Sequence, residues 1–216
     1  MKDESSRAAI PRPTVSRLPY YRRALEFFLS MGQSVVSSHE LARESDVSPS
    51  QLRKDLAYFG QFGTAGIGYD VRDLLSRLDD ILGMTHRKPV ILVGVGNLGR
   101  AVLNHLPAYR SGFEVVGSVD ISPAKVGRVI GGVRCHDFSE IPAIVKENGV
   151  TIAILTCSPE HAQEAAEVLQ KSGIRAIVNF TPVRLRVPET VLVEQVDFGF
   201  TLQKVSFYLE PTEDHR

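Results

Sequence analysis

The stretch "KPVILVGVGNLGRAVLNHL", Lys88–Leu106, runs from an unbroken apolar segment through Gly94-x-Gly96-x-x-Gly99 into a helical pattern. An apolar run of this kind suits a strand buried on both faces. Glycines at these three places allow a tight turn, close approach to a pyrophosphate and close helix–strand packing. The glycines carry little weight alone; the strand before them and the helix after them give them meaning. Gly94, Val95, Gly96, Asn97, Leu98 and Gly99 are the expected phosphate-binding residues, with the pyrophosphate on N–H groups where a helix begins near Asn97. The next strand, "FEVVGSVD", ends in Asp120, twenty-one residues beyond Gly99, where an acid binds the adenosine ribose hydroxyls of NAD. A 2′-phosphate would meet like charge there, and Ile121 and Ser122 follow instead of an arginine. NADH/NAD+ is therefore expected over the phosphorylated dinucleotide.

Downstream, a helix is predicted over Ser139–Glu147, then the strand "TIAILT", a helix over Pro159–Lys171, and strands in "IRAIV" and "VLVEQVD". Strands alternating with helices imply a parallel sheet with crossover helices. "TCSPEH" and "NFTPV" fall at the carboxyl ends of strands, where such sheets bind ligands. Thr156, Cys157, Pro159, Asn179 and Pro182 are thus expected around the nicotinamide. In the tail, Phe198, Leu202, Val205 and Leu209 form a stripe that Phe200, Phe207 and Tyr208 widen beyond one face. Such a helix needs cover on two sides. It reads as a dimerisation element, the alternative being a helix docked on its own sheet.

Upstream, four helical patterns stand before the nucleotide fingerprint. Pro19 suits a first helical turn, Tyr21, Leu25 and Phe28 share a face, and Gly32 ends that pattern. In "VVSSHELARES", Ser37 and Glu40 form a capping box, and Val36 and Leu41 a hydrophobic staple. "VSPSQLRKDLAYF" repeats the grammar: Ser48 caps, Pro49 opens, Gln51 closes the box, and Val47 staples to Leu52. Leu52, Leu56 and Phe59 should be buried, leaving Ser50, Gln51, Arg53, Lys54 and Ala57 outward with Tyr58 flanking. Two short capped helices joined by a tight turn make a helix-turn-helix, whose second helix enters the major groove. The glycine-rich "GQFGTAGIGY" reads as a wing, with Gly63, Thr64 and Tyr69 as further DNA-facing residues. Asp70 caps a fourth helix striped by Val71, Leu74, Leu75, Leu78 and Leu82 and closed by Gly83.

The predicted fold is α/β. An N-terminal winged-helix DNA-binding domain spans 1–84, a Rossmann dinucleotide-binding domain 85–197, and a dimerisation helix and tail 198–216. The chain of 216 residues is 43% hydrophobic and 23% charged, ordinary values for a globular protein. With 25 basic and 25 acidic residues the net charge is zero, which excludes indiscriminate coating of nucleic acid and leaves room for a local patch. Arg7, Arg12, Arg17, Arg22 and Arg23 occur with no acid among them. No apolar run approaches the roughly 20 residues that span a bilayer. The polar start lacks a signal-peptide core, so a cytoplasmic location is expected. Cys135 and Cys157 suggest neither a disulfide framework nor a metal site. None of the six histidines falls in a catalytic motif, so no catalytic residue is assigned.

The segments "SRLPYYRRAL", "SSHELA", "QLRKDLAYFG", "GTAGIGY", "GVGNLG", "NFTPV" and "VEQVDF" occur in the order found in the Rex family of bacterial redox-sensing repressors, which the chain resembles over nearly its whole length. That resemblance implies a homodimer with domain-swapped C-terminal helices. It also implies binding to palindromic operator DNA when NADH is scarce, with release when NADH accumulates and NAD+ competing for the pocket. Two departures stand out. Ala65 occupies the wing where the family often has arginine, and His105 a position where it often has tyrosine. Family precedent links that position to an arginine and an aspartate, mapped to Arg22 and Asp197, as an interdomain coupling set. The competing expectations are an NAD-dependent oxidoreductase, a regulator binding CoA, and a constitutive DNA-binding protein with a structural Rossmann unit.

Overall fold

The computed structural model describes residues 10–64, 66–106 and 112–209. The chain divides into two compact units, Met1–His86 and Arg87–Arg216, two residues beyond the expected boundary. The terminal helix belongs to the second unit.

The first unit runs α1 (Arg12–Ser30), β1 (Val35–Val36), α2 (Ser38–Glu44), α3 (Pro49–Ala57), β2 (Tyr69–Asp70) and α4 (Val71–Leu82). Its core gathers the predicted stripes: Tyr21 and Leu25 of α1, Leu41 of α2, Leu52 and Leu56 of α3, and Val71, Leu74 and Leu78 of α4. Each fully buried leucine contributes about 1.5–3 kcal/mol. The capping box of Ser37 and Glu40 is present, Ser48 accepts from the N–H of Gln51, and Asp70 accepts from that of Asp73.

Two local expectations fail. Pro19 lies inside α1, because Pro11 is the N-cap and Pro13 takes the first turn. The missing N–H at Pro19 frees the carbonyl of Val15, a residue 44% exposed, so the loss falls on the solvated side. Gln51 does not close a box at Ser48, since its amide donates instead to Asp55 Oδ1 at 2.8 Å. The expected wing is present: β2 pairs antiparallel with β1, and the glycine run before it forms a turn fastened by a Thr64–Gly68 bridge. Ala65 lies outside the described residues. The turn between α2 and α3 also holds Asp46 at φ 54, with the N–H groups of Asp46 and Val47 donating to the carbonyls of Arg43 and Ala42. This is a left-handed helix cap in which aspartate stands where glycine is usual.

The second unit is a seven-stranded sheet. Its strands are β3 (Lys88–Val93), β4 (Phe113–Asp120), β5 (Val129–Ile130), β6 (Val133–Asp137), β7 (Ile152–Leu155), β8 (Ala176–Asn179) and β9 (Leu192–Gln195), in the order β5-β6-β4-β3-β7-β8-β9. All neighbours are parallel except β5, which folds back on β6. The six parallel strands have the doubly wound dinucleotide-binding order, with the reversal between β3 and β7.

Three helices connect them: α5 (Asn97–His105), α6 (Ile141–Asn148, behind a 3-10 turn at Phe138–Glu140, so starting two residues late) and α7 (Pro159–Lys171). One sheet face is closed by α6, α7 and the coil after β8, whose Val183, Leu185 and Val187 pack on it. The other face carries α5, and beside it Val90, Ile152, Ile154, Ala176 and Val178 line an open apolar groove. The last helix, α8 (Phe198–Leu209), buries none of its residues. Docking of this helix on its own sheet is therefore not what the fold shows.

Candidate nucleotide and nucleic-acid sites

The fingerprint forms a cradle. Gly94 has φ +93, and a Cβ there would come within 2.5 Å of the Cys157 backbone; one at Gly99 would lie 2.1 Å from the Gly94 carbonyl oxygen. Both glycines thus serve close packing. Gly96 opens α5 with no side-chain cap and open space above its Cα, so N–H groups of the first turn are free to meet an anion. Thr156 donates to the carbonyl of Gly94 at 2.7 Å and tightens the β3–α5 turn against β7. These features fit a dinucleotide pyrophosphate.

Asp120 ends β4 and is 8% exposed. Its Oδ2 accepts the N–H of Val95 and the Lys125 ammonium, each at 2.8 Å, and its Oδ1 accepts the N–H of Ser122 at 2.9 Å. Burial works against its charge, but the bonds from Lys125, Ser122 and Val95 outweigh burial and hold the carboxyl below the usual carboxylate range. A cleft of about 360 Å³ beside it is lined by Gly94, Gly96, Asp120, Lys125, Thr156 and Cys157 among others. Lys125, Ser158, His161 and Phe138 also line this cleft and were not anticipated. The turn after β4, the 3-10 turn after β6 and the start of α7 bring them together there. Burial pushes the Cys157 thiol up to about 11, which leaves it protonated near neutral pH.

Several expected ligand residues have other work. Asn179 is fully buried: its amide nitrogen donates to Val183 O and Gln195 Oε1, and its Oδ1 accepts from the N–H and hydroxyl of Thr181. It is saturated by these bonds and does not line the cleft. Neither do exposed Pro182 nor Pro159, which opens α7. Val95 points into the core, so only its N–H serves the site, and the Leu98 side chain lines the apolar groove instead. Asn97 is exposed at the start of α5.

In the first unit α3 presents Ser50, Arg53, Lys54 and Tyr58 to solvent, with Gly63 and Thr64 of the glycine turn also exposed. Arg53 Nη1 donates to Ser38 Oγ at 3.0 Å, so the start of α2 steadies the guanidinium. Gly63 at φ +70 lets the turn close, since a Cβ there would lie 2.7 Å from the Tyr69 ring. Tyr69 is itself 7% exposed and belongs to the core, so it supports the turn and is not the expected DNA-facing side chain.

Beneath α3, Asp55 is buried completely and accepts from Thr14, Arg17, Tyr21 and Gln51. Burial opposes its charge, yet these four donors hold the carboxyl well below the usual carboxylate range. Gln51 and Arg17 are thus drawn inward. The sequence pattern places Gln51 outward and assigns no role to Asp55, because its donors Thr14, Arg17 and Tyr21 lie 34 to 41 positions away and no local pattern joins them.

Of the coupling set, Arg22 pairs with Asp79 and with Glu26 inside its own unit. Its neighbour Arg23 is exposed, with its guanidinium 5.7 Å from the Tyr20 ring centroid. Asp197 accepts from the N–H groups of Gly199 and Phe200 and so caps α8. His105 is exposed and lines the apolar groove together with Phe198.

A helix-turn-helix unit and a dinucleotide-binding sheet in one chain define a nucleotide-responsive DNA-binding regulator. The redox-sensing transcriptional repressor Rex of Chloroflexus aurantiacus (strain ATCC 29366 / DSM 635 / J-10-fl) is 42% identical over 205 residues, spanning 95% of this chain and 97% of that protein. The chain belongs to the Rex family. Among solved structures, RSP in complex with beta-NAD+ and operator DNA matches with a TM-score of 0.87 at 38% identity, over 93% of this chain and 92% of that one. RSP in complex with beta-NADH matches with a TM-score of 0.83 at 35% identity, over 93% and 94%. Family models described as "CoA binding domain" and "Putative DNA-binding protein N-terminus" match residues 85–183 and 9–57. Among the described residues no group of side chains could hold a metal ion, and no helix is long and apolar enough to cross a membrane.

Proposed function

We propose that this protein is a transcriptional repressor that reads the NADH/NAD+ ratio, holding a palindromic operator as a homodimer when NADH is low and letting go when NADH binds. The observation that carries this reading is the joining, in one chain, of the outward Arg53–Lys54 face to the Gly94–Gly99 cradle with Asp120. Ser50, Arg53 and Lys54 meet bases and phosphates of the major groove, and Thr64 and Gly63 the neighbouring backbone. Asp120 takes the adenosine ribose and the start of α5 the pyrophosphate. NADH supplies binding free energy here and no chemistry is performed on it. The site works in the cytoplasm, where the cellular nucleotide pool resides.

Dimerisation follows from surfaces left uncovered. Among the described residues, nothing covers the apolar helix α8 or the apolar groove beside α5. Exchange of α8 between two copies covers both. A ligand shifts the DNA-binding equilibrium only through unequal affinity for its two states. NADH must favour a form whose recognition helices no longer match half-sites about 34–36 Å apart or a multiple of that. A hundredfold loss of DNA affinity needs about 2.7 kcal/mol of coupling, the scale of a few hydrogen bonds. Arg22 of α1, His105 at the end of α5 and Asp197 at the start of α8 are the set proposed to carry this coupling. Within its own unit Arg22 is shared between Asp79 and Glu26.

The test is an anisotropy titration on a labelled palindromic operator at fixed salt, with NADH, NAD+ and NADPH added separately. Release by NADH is expected, with NAD+ opposing it. DNA binding unmoved by every dinucleotide overturns the sensor reading, and intact NADH-driven release in Asp197→Ala overturns the coupling assignment.

A further inference from the structure

The loop after β4 carries a cation that a simple acid-to-ribose contact leaves without a role. The chain turns tightly at Ser122, whose carbonyl accepts from the N–H groups of Lys125 and Val126. This turn folds Lys125 back so that Nζ lies 2.8 Å from Asp120 Oδ2, with the lysine side chain 26% and the aspartate side chain 9% exposed. Both residues line the nucleotide cleft.

The acceptor count on Asp120 decides what the pair can do. Each carboxylate oxygen offers two lone-pair positions. Oδ2 is filled by the Val95 N–H and Lys125, and Oδ1 already accepts the Ser122 N–H. One acceptor position is left, enough for one ribose hydroxyl and not for both. Lys125 still has two N–H donors and reaches the cleft.

We infer that Lys125 is a specificity-determining residue of the nucleotide site: its ammonium donates to the second ribose hydroxyl, and Asp120 and Lys125 together set how strongly NADH is preferred to NADPH. This rests on the dinucleotide reading proposed above. An isolated aspartate would repel a 2′-phosphate. An ammonium 2.8 Å away offsets part of that repulsion and gives the phosphate a donor. The preference for NADH is thus weaker with Lys125 present than with Asp120 alone.

The experiment measures NADH and NADPH affinities by calorimetry on the full chain, wild type against Lys125→Met and Lys125→Arg. Lys125→Met is expected to lower NADH affinity by up to about tenfold and NADPH affinity by about a hundredfold, since a charged phosphate loses more than a hydroxyl does. The preference for NADH then widens about tenfold or more. Lys125→Arg keeps the cation and holds the wild-type preference within about threefold, by the same argument. An unchanged preference in Lys125→Met, or an arginine variant that behaves like methionine, overturns the inference while leaving the dinucleotide site standing. Failure of the wild type to bind NADH overturns the reading beneath it.

Discussion

Replacing Asp55 by asparagine changes almost no volume and reverses the logic of the network under the recognition helix. Asp55 Oδ1 accepts from Thr14 Oγ1 at 2.9 Å, Arg17 Nη2 at 2.8 Å and Gln51 Nε2 at 2.8 Å, while Oδ2 accepts from Arg17 Nε and Tyr21 Oη, each at 2.6 Å. Whichever way the new amide is turned, its NH2 faces a guanidinium N–H that cannot accept. The hydroxyls of Thr14 and Tyr21 can rotate to adapt, but Arg17 cannot. Removing one member of a buried ion pair costs about 3–5 kcal/mol. Arg17 is 27% exposed and can partly recover water, which puts the loss near 3 kcal/mol by that same measure. For a unit of this size about 3 kcal/mol lowers Tm by roughly 12–24 °C.

Scanning calorimetry of the full chain should show the transition of the first unit falling by that amount while that of the second holds. Arg17→Met combined with Asp55→Asn should cost clearly less than the two changes summed, because both remove one interaction. The pH dependence follows from the sign of the shift. A carboxyl held below its ordinary value stabilises fully above the unfolded pKa of about 4 and loses that contribution as pH falls through the folded value. Wild type should therefore lose stability in acid below about pH 4 more steeply than Asp55→Asn does. Burial and Asp55 raise Tyr21, so its contribution runs the other way, complete below the ordinary tyrosine value and lost in strong alkali. A Tm shift in Asp55→Asn below about 4 °C, or acid curves that superpose, would refute the reasoning.

Three further outcomes are expected. Gly99→Ala drives a Cβ to 2.1 Å from the Gly94 carbonyl oxygen, so NADH-driven release should vanish while operator binding persists; anisotropy with and without NADH reads both. Asp46→Val puts a β-branched residue at φ 54, which should lower the Tm of the first unit by about 5–10 °C, whereas Asp46→Gly should leave it within a few degrees. With its thiol pushed to about 11 by burial, Cys157 should alkylate about a hundredfold more slowly at pH 8 than an ordinary cysteine; mass spectrometry of peptide 152–171 over time decides it.

Motifs whose meaning is carried by neighbours in the chain were legible without any structure. The strand–Gly94-x-Gly96-x-x-Gly99–helix unit, the caps at Ser37, Ser48 and Asp70, the leucine stripe of α4 and the acid at Asp120 all depend on spacing over a few residues or one turn. Apolar periodicity also exposed α8 as a helix wanting cover, and the absence of any buried residue on it agrees. Spacing could not say where the first helix begins, since Pro11, Pro13 and Pro19 all satisfy the same local rule. The contacts of Thr14 and Arg17 with Asp55, some forty positions away, belong to the earlier start.

The same boundary separates what was found at the sites. A side chain's partners across the fold are set by packing, which no local pattern encodes. Tertiary structure therefore decided that Asp55 is a buried acid, that Asn179 is saturated by Thr181, Val183 and Gln195, and that Tyr69 packs inward. It also decided that Arg22 is held by Asp79 and that Lys125 folds back onto Asp120. The sequence by itself pointed to the helix-turn-helix and dinucleotide-binding units, to most of their helices and strands though not to β1, β5 or β6, and to the ligand classes they suit, because hydrogen-bonded caps, turns and periodic faces are short-range. Which polar groups remain free to meet a ligand became decidable only once long-range contacts had claimed the others.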